Sequence, residues 1–317
     1  MPQLRQTKLP KTELISPQVA EQQGEQPEAP NPIRVTALIV SHNRASMLRR
    51  AIESLEKSEE REKLDILVVD NGSTDGSAQL EADFPNVRFI RIPRNFGLTK
   101  ALNIGVRSVT SEFVLFLHED TEVSPDTARV LAGILENQTD VGIACPLLVT
   151  EDRTPAPQVA DLPAPASKEI AWRPAKSEAG EQAIHYSRGA ALMVRKFFLT
   201  AMRQIDERYG TYGSDAELCF QAVRAGKRVL VVPSTAVLHH GRAALDAPAR
   251  GARDADFLLG VAVYLRKRFG VIRGLLFRLA AVLRSLGGLL SFRDIRYHLA
   301  LLGALVSGQK IDGTQQQ

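Results

Sequence analysis

Cysteine is scarce in this chain. Only Cys145 and Cys219 occur, and neither lies in a zinc-type spacing or a disulfide framework. A reduced, cytosolic setting is the expectation. The N-terminus has no basic segment followed by an apolar run, so no secretory signal is read there. A formal net charge of +4 is too small to argue for a nucleic-acid partner. No glycine-rich, basic triphosphate loop lies near the first apolar run, which counts against nucleotidyl transfer. No side chain stands out as a covalent nucleophile. What is present is ordinary for a globular protein: 44% hydrophobic and 24% charged residues in 317 positions. That is enough for one large α/β domain with an appendage, or for two small domains.

Residues 1–33 are rich in Gln, Glu and Pro and poor in large apolar residues, which predicts disorder. The texture changes at Arg34. Val35–Val40 reads as a strand, Ser46–Glu56 as a helix with Ser46 as N-cap, and Leu64–Val69 as a second strand closed by the turn-rich Asp70–Gly76. A helix near Ser77–Asp83, a strand at Val87–Ile92 and a loop-to-helix segment at Asn95–Val106 follow. Phe113–Leu117 is almost wholly apolar and predicts a central strand. Further elements are a helix at Asp126–Glu136 and a strand at Val141–Pro146. Beyond a Pro- and Ala-rich stretch at 151–183, read as a long flexible loop, structure resumes at Ser187–Val194. A helix at Arg195–Arg203, another at Leu218–Ala225, and strands at Arg228–Val232 and Ala236–Leu238 complete the region. Strands alternating with helices imply parallel βαβ units and an open, doubly wound α/β sheet. Ligands in such sheets bind beyond the carboxyl ends of the strands. The polar clusters Ser41–Arg44, Asp70–Asp75, Arg94–Asn95 and His118–Asp120 all fall there.

Each cluster has a functional and a plain reading. Asp70, Asn71 and Gly72 suit a base or ribose contact, or an Asx-rich turn. Asn95, Gly97, Asn103 and Gly105 suit a pocket wall, or loop punctuation and a helix cap. Asp120 ends a buried strand, where a carboxylate is costly unless paired or holding a cation; the other reading is a helix-capping acidic loop. Glu119 and Glu122 are expected to face solvent. Asp215 and Glu217, two residues apart just before a helical segment, suit a general base or an acidic helix N-terminus. His239 suits a third metal ligand or a polar strand end.

Taken in order, VTALIVSHNR, ILVVDNGSTDGS, RNFGLTKALNIGV, FVLFLHEDTEV, RGAALMVRKFF, IDERYGTYGSDAELCFQAVRAG and VLHHG resemble the family 2 inverting glycosyltransferases of the GT-A fold. The likeness is strongest to rhamnosyltransferase-like and galactofuranosyltransferase-like members, and runs from about Val35 to Arg242. It implies a GT-A type open mixed sheet, largely parallel and flanked by helices, over residues 34–256. It implies a nucleoside-diphosphate sugar as donor and a divalent cation, Mn²⁺ or Mg²⁺. Carried over by position, Ser41, Asn43, Arg44, Asp70 and Asn71 match the nucleoside site, and Asn95, Gly97 and Asn103 the rest of the donor pocket. His118-Glu119-Asp120 matches the DxD-type metal position, with His239 assisting, and Asp215 matches the catalytic base. The chain departs from the pattern in three places. His118 replaces the usual Asp or Asn, Ser214 replaces the Glu before the base, and the aromatic approach thins to Tyr209-Gly210-Thr211-Tyr212. The implied activity is inverting transfer of rhamnose or another hexose to a hydroxyl of a glycan or lipid-linked acceptor in cell-surface polysaccharide synthesis. The departures keep a second reading in play, a catalytically impaired nucleotide-sugar-binding or scaffolding protein of the same fold.

Residues 257–317 are apolar and arginine-bearing as far as Ser307. Val271–Leu290 has nearly the length of a membrane span, but Arg273, Arg278 and Arg284 interrupt it and would be costly in the bilayer core. The expectation is an amphipathic helical tail in the interface of an anionic membrane, its arginines snorkelling to phosphates. The alternative is a helical bundle packed on the catalytic domain or on a second subunit of a homo-oligomer. An interfacial tail suits a polyprenyl-linked acceptor and a peripheral position on the cytoplasmic face of the cell membrane.

Overall fold

The computed structural model describes residues 34–167, 170–241, 246–292 and 294–308, which fall in one compact unit. The disorder expected for residues 1–33 lies outside the described residues. The first half alternates strand and helix: β1 Val35–Ser41, α1 Ala45–Glu56, β2 Leu64–Asp70, α2 Leu80–Asp83, β3 Arg88–Arg91, α3 Leu98–Arg107, β4 Phe113–His118, β5 Thr121–Val123, α4 Thr127–Asn137 and β6 Val141–Val149. The second half is less regular: β7 Pro157–Ala160, β8 Arg173–Pro174, β9 Gln182–Ile184, β10 Tyr186–Ser187, β11 Ala191–Arg195, α5 Lys196–Ala201, α6 Ser214–Arg224 and β12 Arg228–His239. Three helices close the described chain: α7 Ala247–Phe269, α8 Val271–Leu290 and α9 Ile295–Ser307.

The main sheet has the order β3-β2-β1-β4-β11-β6-β12-β5, with β9 also paired to β12. β3, β2, β1 and β4 are parallel. β11 is antiparallel to both β4 and β6, and β12 is parallel to β6. The two reversals cancel, so β12 points the same way as β1, β2 and β4. Side chains alternate across each strand. Leu38 and Val40 join a core with α3, α6 and the inner face of α7, while Ala37 and Ile39 join another with α1 and α4. A strand covered on both faces favours apolar residues throughout, which is why VTALIV reads as a nearly continuous run; its one polar member, buried Thr36, is satisfied by Ser111 at 2.8 Å. Cys145 and Cys219 are free and buried; burial pushes the Cys145 thiol up to about 12, so it is an inert core residue.

Four local expectations change. Ser46 is exposed inside α1 rather than capping it. The first amide, Ala45 N, instead donates to Asp75 Oδ2 across the turn at 2.9 Å. The 151–183 stretch contains β7, β8 and β9, and β7 joins β8 and β10 in a three-stranded sheet. Buried Gln158 makes this workable, donating from Nε2 to Pro146 O at 2.7 Å and accepting at Oε1 from Leu148 N at 2.9 Å. Side-chain amides thus supply bonds that a Pro-rich composition hides. α6 starts at Ser214, so Asp215 and Glu217 lie within its first turn rather than before it. The two strands expected at the end of the domain are one strand, β12, with an irregularity between Val232 and Ala236, where Pro233 cannot donate to a ladder.

α7 passes unbroken through position 256/257. Its Val261, Tyr264 and Leu265 sit in the core shared with the sheet, while Ala255 and Leu259 pack with Ala281 of α8 and Leu301 and Leu305 of α9. Lys267 Nζ donates to Asp206 Oδ2 and to Glu217 Oε1, each at 2.7 Å. Buried Glu217 also pairs with Arg268. The first tail helix is therefore bolted to the helix that carries Asp215.

Candidate active site

Strand direction decides which polar groups meet. Ser41, Asp70, His118 and His239 are the last residues of β1, β2, β4 and β12, and these four strands share a direction. All four residues reach one edge of the sheet. β11 runs the opposite way, so the residues just before it, Arg188, Gly189 and Ala190, belong to that edge as well. A cavity of about 430 Å³ opens here, lined by residues including His118, Arg188, Gly189, Asp215, His239 and Arg253.

Beyond β1 and β2 the loops are tied to one another. Gly72 has φ +74°, and a Cβ on it would lie 2.5 Å from the Arg94 carbonyl carbon. Only glycine fits that approach. Asn71 bridges the same gap, donating from Nδ2 to Asn95 Oδ1 at 3.0 Å and accepting at Oδ1 from Phe96 N at 3.0 Å. Asn95 Oδ1 also accepts from Gly97 N at 2.8 Å. Buried Asp70 accepts from Ser73 N at 3.0 Å. Asn43, at φ +52°, accepts from Thr74 N at 2.7 Å. Ser41 Oγ is buried with no hydrogen-bond partner among the described residues. Asn103 does something different. Its amide binds Ile205 O and Ile205 N at 2.8 and 2.9 Å and Glu207 Oε1 at 3.0 Å. It fastens the 205–207 segment; like Ser41, Asn43, Arg44, Asp70, Asn71, Asn95 and Gly97, it is not among the residues lining the cavity that holds Asp215.

His118, Asp120 and His239 bring one donor atom each to within 4.8 Å of one another. His239 Nε2 lies 3.5 Å and His118 Nδ1 3.9 Å from Asp120 Oδ1. That oxygen is buried without a proper hydrogen bond. Arg44 Nη1 stands 3.7 Å from Asp120 Oδ2, linking the β1 turn to the cluster. Burial works against the Asp120 charge, but the contact with His239 and the nearby His118 and Arg44 hold the carboxyl well below the usual range. An ionised, buried, under-coordinated oxygen between two imidazoles fits a divalent cation. The mixed N and O donors suit Mn²⁺ better than Mg²⁺. His240 turns away, bonding Glu122 at 2.6 Å and Glu151 at 3.0 Å. Glu122, expected in solvent, is thus held by His240 and by Arg50 at 2.7 Å.

Asp215 sits in the first turn of α6. Oδ1 accepts from Tyr186 OH at 2.9 Å and Ala216 N at 2.9 Å, and Oδ2 accepts from Gly189 N at 3.1 Å. Burial outweighs these three donors and raises its pKa. A buried carboxylate whose pKa is raised, held by three donors at the cavity edge, is a candidate general base.

Residues 36–200 match the family model described as glycosyl transferase family 2. The chain belongs to glycosyl transferase family 2. It is 26% identical over 228 residues to N-acetylglucosaminyl-diphospho-decaprenol L-rhamnosyltransferase of Mycobacterium tuberculosis, covering 63% of this chain and 74% of that protein. It is 28% identical over 222 residues to the succinoglycan biosynthesis protein ExoO of Rhizobium meliloti, covering 66% of this chain and 61% of that one. Among solved structures, the mannosyltransferase PcManGT from Pyrobaculum calidifontis, in complex with GDP-Man and Mn²⁺, superposes with a TM-score of 0.54 at 16% identity. That match covers 88% of this chain and 87% of the other. This glycosyltransferase accordingly has the expected GT-A fold, a largely parallel mixed sheet with helices on both faces and three C-terminal helices.

Within this family 2 chain, sequence reasoning had not assigned a role to Tyr186, Arg188, Gly189, Trp172 or Arg253, all close to Asp215 or lining its cavity. One signal was available. The glycine of the RGAAL segment precedes an apolar strand, and Gly189 is where a Cβ would press on Asp215 Cβ at 3.1 Å.

Proposed function

We propose that this chain transfers a hexose, rhamnose being suggested by the name of its mycobacterial relative, from a nucleoside diphosphate to an acceptor hydroxyl with inversion, in polysaccharide synthesis. One observation carries the reading: Asp215, raised in pKa, faces the same cavity as His118 and His239. Asp215 takes the proton of the acceptor hydroxyl as that oxygen attacks the anomeric carbon from the face opposite the leaving diphosphate. Gly189 N and Tyr186 OH keep the carboxylate aimed. Ser41, Asn43, Arg44, Asp70, Asn71, Asn95 and Gly97, in the loops tied together beyond β1 and β2, are the groups that would hold the nucleoside. His118, Asp120 and His239 are the groups that would hold a divalent cation, which supplies Lewis-acid neutralisation of the departing diphosphate.

The acceptor in this reading is a glycan or a polyprenyl-linked sugar. Among the described residues no helix is long and apolar enough to cross a membrane. α8 nevertheless exposes Ile272, Leu275, Leu276, Leu279, Leu283 and Leu286, a face suited to lying in an anionic bilayer surface on its cytoplasmic side. The test of the chemistry uses UDP-, dTDP- and GDP-sugars with Mn²⁺, comparing the native protein with Asp215→Asn. Transfer or donor hydrolysis that falls about 10²–10⁴-fold in the variant, with product of opposite anomeric configuration, supports it. Equal and negligible rates in both proteins would instead favour a nucleotide-sugar-binding scaffold.

A further inference from the structure

Beside Asp215 the cavity holds two cations that the chemistry above does not use. Arg188 immediately precedes Gly189, whose amide binds the Asp215 carboxylate. Its guanidinium lies over the Trp172 ring, 4.6 Å from the centroid, and that ring packs on Tyr186 at 4.8 Å. Arg188 Nε is buried without a hydrogen-bond partner among the described residues. Arg253 enters the same cavity from α7. It is oriented by Asp254, whose Oδ1 accepts from Arg253 Nε at 2.9 Å and Nη2 at 2.8 Å, and whose Oδ2 accepts from Tyr297 of α9 at 3.0 Å. Burial depresses the Arg188 guanidinium and the neighbouring Arg253 adds to this, against the pull of Asp215. Phe257 and Tyr212, in edge contact at 5.8 Å, continue the wall with apolar surface.

We propose that Arg188 and Arg253 form a subsite for the diphosphate of a lipid-linked acceptor. The inference rests on the transferase reading and names its acceptor chemistry. Groups that adjoin the base adjoin the hydroxyl it activates, so these cations lie on the acceptor. Asp254 already pairs Arg253 through Nε and Nη2, but Arg188 Nε has no hydrogen-bond partner among the described residues. A neutral glycan would bring it no charge, whereas a diphosphate offers oxygens in the geometry that guanidinium forks bind. The donor's own diphosphate has the His118–Asp120–His239 cluster. The aromatic pair Tyr212–Phe257 would take the first apolar units of the lipid.

The test uses the full chain with Arg188→Gln, Arg188→Lys and Arg253→Gln. Four quantities are measured with Mn²⁺ present: KM for a prenyl-diphosphate-linked sugar, KM for the same sugar on a neutral alkyl chain, calorimetric affinity for farnesyl diphosphate, and affinity for the nucleoside diphosphate. Each Gln variant should raise KM for the diphosphate acceptor about tenfold or more, with Arg188→Lys intermediate. Farnesyl diphosphate affinity should fall in parallel, while the neutral acceptor and the nucleoside diphosphate are unaffected. Loss of nucleoside-diphosphate affinity would assign the cations to the donor and overturn the proposal. So would equal KM increases for both acceptors, or no change in any of the four. If Arg188→Gln does not fold, Arg253→Gln on the half-buried face of α7 decides the matter. Absence of transfer by the native protein with every donor would sink the transferase reading, while farnesyl diphosphate binding would still judge the subsite.

Discussion

In the proposed reaction the hydroxyl of Tyr186 controls the strength of Asp215 as a base. It donates to Asp215 Oδ1 at 2.9 Å, and this bond favours the ionised carboxylate against the burial that raises its pKa. Tyr186→Phe removes that one donor and leaves the ring on Trp172, with Gly189 N and Ala216 N still in place. A hydrogen bond to a charged group is worth about 1.5–3 kcal/mol, and one pKa unit corresponds to about 1.4 kcal/mol. The bound on the change is therefore about one to two units upward. Two donors remain and water can enter the gap, so the lower end is expected.

The assay is kcat/KM against pH, which reports groups of the free enzyme, at saturating Mn²⁺ so that the two imidazoles stay deprotonated on the ion. In the proposed mechanism Asp215 works ionised, so activity should be lost as pH falls through its pKa. The native acid limb should lie above pH ~4, where an ordinary aspartate titrates. In Tyr186→Phe the limb should move up by about one unit, with the alkaline plateau within a few-fold of native. Stability has the opposite sign. A folded-state pKa raised above the unfolded one contributes stability below the unfolded pKa that is lost as pH rises through the folded value. At neutral pH Asp215→Asn removes that buried charge but turns an amide NH₂ toward one of the donors on Oδ1 or Oδ2. The two effects oppose each other, so its melting temperature should change little compared with its loss of rate. A limb that stays put or moves to lower pH in Tyr186→Phe would refute the assignment of Asp215 as the base.

Two further outcomes follow from the cluster and the tail. Mn²⁺ at a hundredfold excess over its dissociation constant should stabilise the fold by about 2.7 kcal/mol, read as a rise in melting temperature. Asp120→Asn should abolish that rise while His240→Gln, whose ring bonds Glu122 and Glu151 instead, should keep it; a rise retained in Asp120→Asn would remove the metal assignment. The native protein should co-float with anionic vesicles, and Leu275→Glu/Leu279→Glu/Leu283→Glu should not. Each exposed leucine returned to an apolar phase contributes about 1.5–3 kcal/mol at most, and indifference of the native protein to such vesicles would dismiss the membrane-facing reading of α8.

The parts of this molecule that were legible in sequence are those set by local chemistry. β1, β2, β4 and β6 show as apolar runs because both of their faces are covered. Asp70 and His118 stand out because they directly end β2 and β4, and His239 because it closes the short apolar end of β12. The hidden parts depend on long-range pairing. Nothing local announces that Tyr186–Arg195 reverses direction between β4 and β6, yet that reversal carries Tyr186, Arg188 and Gly189 to the edge where the parallel strands finish. From the residues alone Asp215 and Glu217 suit a general base or an acidic helix start, and only the family likeness chooses Asp215, because an acidic residue at a helix start is commonplace. The feature that makes it more than commonplace is the backbone of Gly189 placed within hydrogen-bond reach by the reversed strand. The tail misleads for a related reason. Its composition changes near position 257, but α7 is already part of the sheet's core, and its Lys267 and Arg268 reach Glu217, two residues from Asp215. α7 thus packs against α8 on one side and is tied through Glu217 to the helix that carries Asp215 on the other. A composition boundary marks where the chain's surroundings change, and here that point falls inside a single mechanical element.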